Sequence, residues 1–219
     1  MPRAYIFLNG DFEKPRQNWP EAPAADDLVI AADGGGRHAA TLGWPVHCLV
    51  GDFDSLAPEL LAGYQQTGTY VEVHPADKDE IDFELALALA RRRNFRNLEV
   101  LGALGGRWDM SLGNLFLPRA DDWDGLHVRF RHGPWSIMTV PGPAELTLSG
   151  QPGDLLSLLP LGQDVRGATL RGGRYPLAGE TLRAGLSRGL SNRFEQAEVS
   201  LSFASGTLMI MQRAGEDDG

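Results

Sequence analysis

The chain has 219 residues, 42% of them hydrophobic and 22% charged, the balance of a soluble globular protein long enough for one large domain or two small ones. Its 29 acidic side chains outnumber 20 basic ones, giving a net charge of -9, which argues against a nucleic-acid backbone as partner. The single cysteine, Cys48, excludes an internal disulfide and points to a reducing, cytoplasmic setting, and no apolar run approaches the roughly 18 residues of a membrane helix.

In chain order, short apolar runs predict strands at 4–8 (AYIFL), 28–32 (LVIAA), 46–50 (VHCLV), 70–73 (YVEV), 98–102 (LEVLG) and 127–130 (HVRF). Helix-like segments at 36–42, 56–66, 82–93 and 110–118 lie between them, with Ser55 to Pro58 reading as a helix start. The stretch 11–25, DFEKPRQNWPEAPAA, holds three prolines and predicts a loop. Strand–helix alternation with continuous apolar strands implies a mostly parallel, Rossmann-like α/β sheet covered on both faces. From about residue 134 the texture changes. WSIMTV, AELTL, DLLSLLPL, ATLRG, AEVSLSF and TLMIMQ are short, β-rich and punctuated by Gly and Pro, which predicts an antiparallel sandwich or barrel. The expected organisation is an α/β domain at 1–132 and a β-sandwich domain at 133–219, ending in a frayed tail, RAGEDDG.

Ligands of open parallel sheets bind beyond the carboxyl ends of the strands. After LVIAA this chain places DGGG (33–36), and after VHCLV it places GDFDS (51–55). YVEV is followed by HPADKDEID (74–82), and LEVLG by ALGGRWD (103–109). Asp33, Asp52, Asp54, Asp77, Asp79, Asp82 and Asp109 are therefore expected along one rim. Crowded carboxylates repel and some are forced to keep protons; a divalent metal removes the conflict, and Mg²⁺ takes one or two carboxylates plus substrate phosphates. Residues two apart on a strand share a face, so Asp52 and Asp54 are expected to point together, with Phe53 turned into packing. Any one of these acids read alone is better read as a helix cap, and it is four acid-bearing loops at one sheet edge that favour a site. Gly34 and Gly35, and Gly105 and Gly106, are expected to let backbone amides approach an anion. Arg107 offers a forked phosphate donor, and Lys78, one of only two lysines, can reach a phosphate. Gly34, Gly36 and Ala39 also satisfy G-x-G-x-x-A, a weak dinucleotide signal that leaves the other acids unexplained.

Taken together, AADGGGRHA, LVGDFDSL, DKDEIDFELAL, LGALGGRWDMSLGN, GGRYPL and GLSNRF resemble thiamine pyrophosphokinase, in order, from about residue 27 to 210. The resemblance implies an N-terminal α/β domain and a C-terminal β-sandwich, paired in a homodimer with the thiamine site at the subunit interface. It implies transfer of the pyrophosphoryl group of ATP to the hydroxyl of thiamine, giving thiamine diphosphate and AMP. By motif, Asp52, Asp54 and Asp82 match the Mg²⁺ and phosphate acids, and Arg107 and Asp109 match the GGRxD pair. Tyr175, Ser191 and Asn192 match the thiamine side. Three positions depart from the family pattern: Ile81 stands for a threonine, Met110 for a histidine, and Gly172–Gly173 for Gly-Leu. The rival readings are a pterin pyrophosphokinase, an NAD-dependent oxidoreductase built on Gly34 and Gly36, and a non-catalytic nucleotide-binding module.

Overall fold

Three strands in which every residue is buried set the frame of the first half: β1 (Ala4–Phe7), β2 (Leu28–Ala32) and β3 (Cys48–Gly51). Burial on both faces removes any alternation, as covered parallel strands require. The computed structural model describes residues 1–15 and 19–215; residues 16–18 of the proline-rich loop and the tail from 216 on lie outside it. The chain divides into two units, Met1–Gly133 and Pro134–Gly219.

In the first unit, β4 (Tyr70–Val73), β5 (Asn97–Leu101) and β6 (His127–His132) complete a parallel sheet in the order β6-β5-β1-β2-β3-β4. Four helices intervene: α1 (Gly36–Thr41), α2 (Pro58–Gln66), α3 (Asp82–Arg92) and α4 (Trp108–Phe116). Tyr5, Phe7, Val29, Ala31 and Leu49 pack against Ala39, Phe53, Leu56 and Tyr64 from the α1 and α2 side. Trp19 and Trp44 stack at 5.1 Å, and both meet Tyr5 edge-on. α2 begins at Pro58, two residues later than the sequence predicts. A residue before proline is pushed out of the helical region, and Ala57 is extended (φ -56°, ψ 133°).

The second unit is a sandwich of two antiparallel sheets. One orders its strands β12-β9-β14-β7: Asn192–Arg193, Leu155–Pro160, Thr207–Arg213 and Trp135–Pro141. The other runs β11-β10-β13-β8: Leu177–Leu182, Val165–Arg171, Glu198–Phe203 and Ala144–Ser149. Leu156, Leu158, Leu208 and Ile210 from the first face Leu170, Leu177, Val199 and Leu201 from the second in one core. β11 is absent from the sequence reading. Its pairing with β10 shifts register twice, and Gly179 (φ +72°) breaks the alternation that would have marked it.

Candidate active site

The sheet order of the first unit contains one reversal. The chain steps outward from β1 to β4, then crosses back to lay β5 on the other side of β1, so the carboxyl ends of β1 and β5 flank the crevice where such sheets bind ligands. A cleft of ≈ 330 Å³ lies there, lined by Leu8 to Asp11 after β1, by Gly102, Ala103, Gly105, Gly106 and Arg107 after β5, and by Asp82, Phe83, Met110 and Asn114 from α3 and α4. Its strand-side wall is tied together. The amides of Leu8, Gly10 and Asp11 donate to the carbonyls of Leu101, Gly102 and Leu104 at 2.8, 2.7 and 2.8 Å, so the β1–β5 ladder continues past both strand ends.

Beside the cleft, at the ends of β2 and β3, carboxylate oxygens of Asp33, Asp52 and Asp54 all lie within 4.8 Å of one another. They range from buried (Asp33) through half-buried (Asp52) to exposed (Asp54). Asp52 and Asp54 do not reach this rim by strand alternation as expected. β3 ends at Gly51, Phe53 takes a left-handed φ of +64° and enters the core, and the Asp54 amide donates to Asp52 Oδ1 at 3.1 Å. Asp33, also left-handed (φ +52°), accepts the Phe53 amide at 2.7 Å. Burial pushes the Asp33 carboxyl above its ordinary value, the Phe53 amide opposes that, and the negative charges of Asp82 and Asp52 add to the rise. Three convergent carboxylates, one raised in pKa by burial and like charge, are a donor set suited to a hard divalent cation such as Mg²⁺.

Ser55 ties the rim together, and the sequence reading missed it. Its hydroxyl donates to Asp33 Oδ2 and accepts the Gly34 amide and Asn9 Nδ2, each at 3.1 Å. Three strand ends, after β1, β2 and β3, thus meet on one oxygen, and Arg37 closes the ring by donating to Asn9 Oδ1 at 2.6 Å. The Gly34 amide is therefore spent on Ser55 rather than left for an anion. Gly35 is required by close approach: a Cβ there would stand 2.0 Å from the Phe7 carbonyl oxygen.

The remaining predicted residues distribute unevenly. Asp82, first residue of α3, lines the cleft with Lys78 Nζ 3.2 Å from its Oδ1. Asp77 and Asp79 are exposed. Ile81 is the N-cap of α3. Glu84 Oε2 accepts its amide at 3.0 Å, but an isoleucine has no oxygen with which to return the bond. Arg107 and Asp109 open α4 as an exposed forked pair, Nε to Oδ1 at 3.2 Å and Nη2 to Oδ2 at 2.5 Å, and this bonding holds the Asp109 carboxyl below its ordinary value. Met110 lines the cleft.

In the second unit Tyr175 is half exposed, with the Arg174 guanidinium 5.7 Å from its ring centre. Asn192 is buried. Its Oδ1 accepts the amides of Tyr175 and Arg193 at 2.9 and 2.8 Å, and its Nδ2 donates to the Tyr175 carbonyl at 2.6 Å. The side chain thus grips the Tyr175 backbone and fixes where that ring projects. Ser191 is exposed and left-handed (φ +58°), its amide bound to Ser157 Oγ at 3.1 Å.

Comparison with known proteins matches residues 19–120 to the thiamin pyrophosphokinase catalytic domain and residues 136–208 to the thiamin pyrophosphokinase vitamin B1 binding domain. The thiamine pyrophosphokinase of Bacillus subtilis is 28% identical over 163 residues, 74% of this chain and 76% of that protein. A crystal structure of a thiamin pyrophosphokinase family protein from Enterococcus faecalis superposes with a TM-score of 0.83 at 28% identity, covering 98% of this chain and 100% of that one. The Candida albicans thiamin pyrophosphokinase, 16% identical, shares the fold with a TM-score of 0.76 over 96% of this chain and 88% of its own. The catalytic-domain match takes in the strand ends that carry Asp33, Asp52, Asp54, Asp82, Arg107 and Asp109, and the second match takes in most of the sandwich: the chain belongs to the thiamine pyrophosphokinase family of enzymes.

Proposed function

We propose that the chain transfers the pyrophosphoryl group of ATP to the hydroxyl of thiamine, giving thiamine diphosphate and AMP, in a Mg²⁺-dependent reaction. The observation that carries this reading is the acidic trio Asp33, Asp52 and Asp54 beside the β1–β5 cleft, in a chain whose other half matches a vitamin B1 binding domain. Asp52 and Asp54, with Asp33 and Asp82 adjoining, hold the metal, whose charge neutralises the phosphate oxygens when bound. Arg107 releases Asp109 and turns its fork to the transferring phosphates, and Lys78 approaches them from Asp82. The thiamine hydroxyl oxygen attacks the β-phosphorus, the bond to the α-bridging oxygen breaks, and the hydroxyl proton passes to a carboxylate, Asp82 or Asp109. The Tyr175 face takes a thiamine ring by stacking or cation–π attraction, Ser191 offers its hydroxyl, and Asn192 holds Tyr175 in place.

A homodimer with the active site at the subunit interface is part of the same reading. Trp108, Leu112 and Phe116, spaced four apart on α4, are 82, 53 and 43% exposed, an apolar stripe that a second copy of the chain would cover. The test of the activity is AMP release from ATP and Mg²⁺. AMP should appear only with thiamine, in step with thiamine diphosphate. AMP release with a hydroxymethylpterin in place of thiamine, or none with either, refutes the reading.

A further inference from the structure

We propose that Ser111 and Asn114 are positioning residues that hold the turn from Gly105 to Arg107 and so aim the Arg107 guanidinium at the transferring phosphates. The proposal rests on the reading of the cleft as the site of an ATP-dependent transfer. Neither residue has a part in the chemistry described above. They sit three apart on α4, and so on one helix face, and are only 5 and 6% exposed, while Trp108 and Leu112 take the outer face. Polar side chains buried on a helix face need partners, and here the partners are carbonyls of the loop between β5 and α4. Asn114 Nδ2 donates to the Ala103 carbonyl at 2.8 Å. The Ser111 hydroxyl lies 3.0 Å from the Arg107 carbonyl, with that of Gly105 at 3.4 Å as its alternative acceptor.

The turn depends on this support. Residues 105 to 107 are exposed, and Gly105 and Gly106 are both left-handed (φ +90° and +63°), a pair with wide backbone freedom. Among the described residues the amides of Gly105, Gly106 and Arg107 donate to no protein acceptor. The loop is fixed through its carbonyls instead: Leu104 by the Asp11 amide, and Ala103, Gly105 and Arg107 by the two α4 side chains. Arg107 is the N-cap of α4, so the carbonyl held by Ser111 belongs to the residue whose side chain must leave Asp109 for phosphate. Asn114 also lines the cleft, and a carbonyl only accepts, so its contact with Ala103 fixes which end of the amide is nitrogen. Its Oδ1 is then left buried without a partner. An orphaned acceptor costs stability, so placing the loop, rather than stabilising the fold, accounts for an amide at this position.

The experiment is a double-mutant cycle in kcat/KM for ATP. It combines Arg107→Ala with Asn114→Ala, and with the milder Ser111→Ala, which runs the same test should Asn114→Ala fail to fold. With Arg107 present, Asn114→Ala should lower kcat/KM by about 10- to 100-fold and Ser111→Ala by about 3- to 10-fold. On Arg107→Ala each should cost about threefold or less, because the side chain they aim is gone. Ser111→Thr keeps the hydroxyl and should stay within about threefold of wild type. A purely structural role lowers the folded fraction by the same factor in either background, so costs that persist on Arg107→Ala overturn the proposal. So does an Asn114→Ala or Arg107→Ala enzyme as active as wild type. Calorimetric binding of α,β-methylene ATP with Mg²⁺, an analogue that cannot be cut at the α-bridging position, repeats the cycle without chemistry. If no thiamine-dependent AMP appears, the transfer reading fails and the binding cycle decides alone. Binding lost on Asn114→Ala only while Arg107 is present sustains the positioning assignment, and equal binding to wild type and variant overturns it. If the analogue does not bind wild type, both fall.

Discussion

Ser55→Ala removes a single oxygen on which three strand ends meet. The Asp33 carboxylate loses a donor at 3.1 Å, the Gly34 amide loses its acceptor, and Asn9 Nδ2 loses its partner. Asn9 is exposed and rehydrates at little cost. Asp33 and Gly34 are buried, and leaving such groups unpaired costs about 1–3 kcal/mol each, the upper range where a charge is involved. Asp33 still keeps the Phe53 amide at 2.7 Å, so the sum should settle near 2–3 kcal/mol, roughly a 5–10 °C fall in the midpoint for a unit of this size. Thermal and urea unfolding followed by circular dichroism read this directly. A double-mutant cycle with Asp33→Asn should return a coupling of about 1–2 kcal/mol. The same variant should weaken Mg²⁺ binding although Ser55 is no ligand, because Asp33 loses one of the two bonds that aim it. A midpoint within 1 °C of wild type, or no coupling to Asp33, would show that the strand ends are held by other contacts and that the hydroxyl network is incidental.

Asp52→Asn and Asp54→Asn should each lower turnover at limiting Mg²⁺ by about 100-fold or more while leaving the unfolding midpoint unchanged or slightly raised, since each removes one charge from a repulsive group; near-wild-type turnover in either would exclude that residue from the metal site. Ile81→Thr should complete the one-sided capping box of α3 and, after some lost apolar burial, add about 0.5 kcal/mol, read as a rise of roughly 1–2 °C, whereas a large loss of stability would mean that the isoleucine packs in the core. His38 stacks on Phe12 and bonds Gly10 O through Nε2, and burial holds its pKa below the ordinary 6.5. The unfolded chain therefore takes up the proton first as pH falls below 6.5, and stability should decline from there until the folded pKa is passed. His38→Gln should flatten that decline in unfolding midpoints measured across pH 4–8, and an equally steep curve would assign it to other groups.

The parallel sheet was legible because its central strands are covered on both faces and so read as unbroken apolar runs, with glycine-rich or acidic turns where each one ends. Of the seven acids expected along the rim, Asp33, Asp52 and Asp54 do converge, because parallel topology sends the ends of β2 and β3 to one edge. Their local geometry was not legible. The turn from Gly51 to Asp54 uses a left-handed phenylalanine, which no alternation rule anticipates, and Ser55, three residues before a proline, reads as a helix cap until its hydroxyl is seen bound to two other segments. Asp11 was hidden by its neighbours: three prolines downstream make 11–25 look like a loop throughout, although its first residue still lies on the β1–β5 ladder. Asn192 shows the converse. Its motif drew attention to the right corner of the sandwich, but the side chain itself is buried against the Tyr175 backbone, a fact that only packing reveals.

The continued β1–β5 ladder also bears on how the cleft moves. Opening the cleft by parting β1 from β5 would break the three amide–carbonyl bonds at Leu8, Gly10 and Asp11 together. The opposite wall, made by the first turns of α3 and α4, has no such ladder across the cleft mouth, and it ends in an exposed Arg107–Asp109 pair that exchanges with water at small cost. Breathing should therefore be one-sided. In amide hydrogen exchange the Gly10 and Asp11 protons should be among the slow ones, protected like core strand amides, while those of residues 105 to 109 exchange quickly. Ligand would then enter and leave by displacement of the helix side against a fixed strand side.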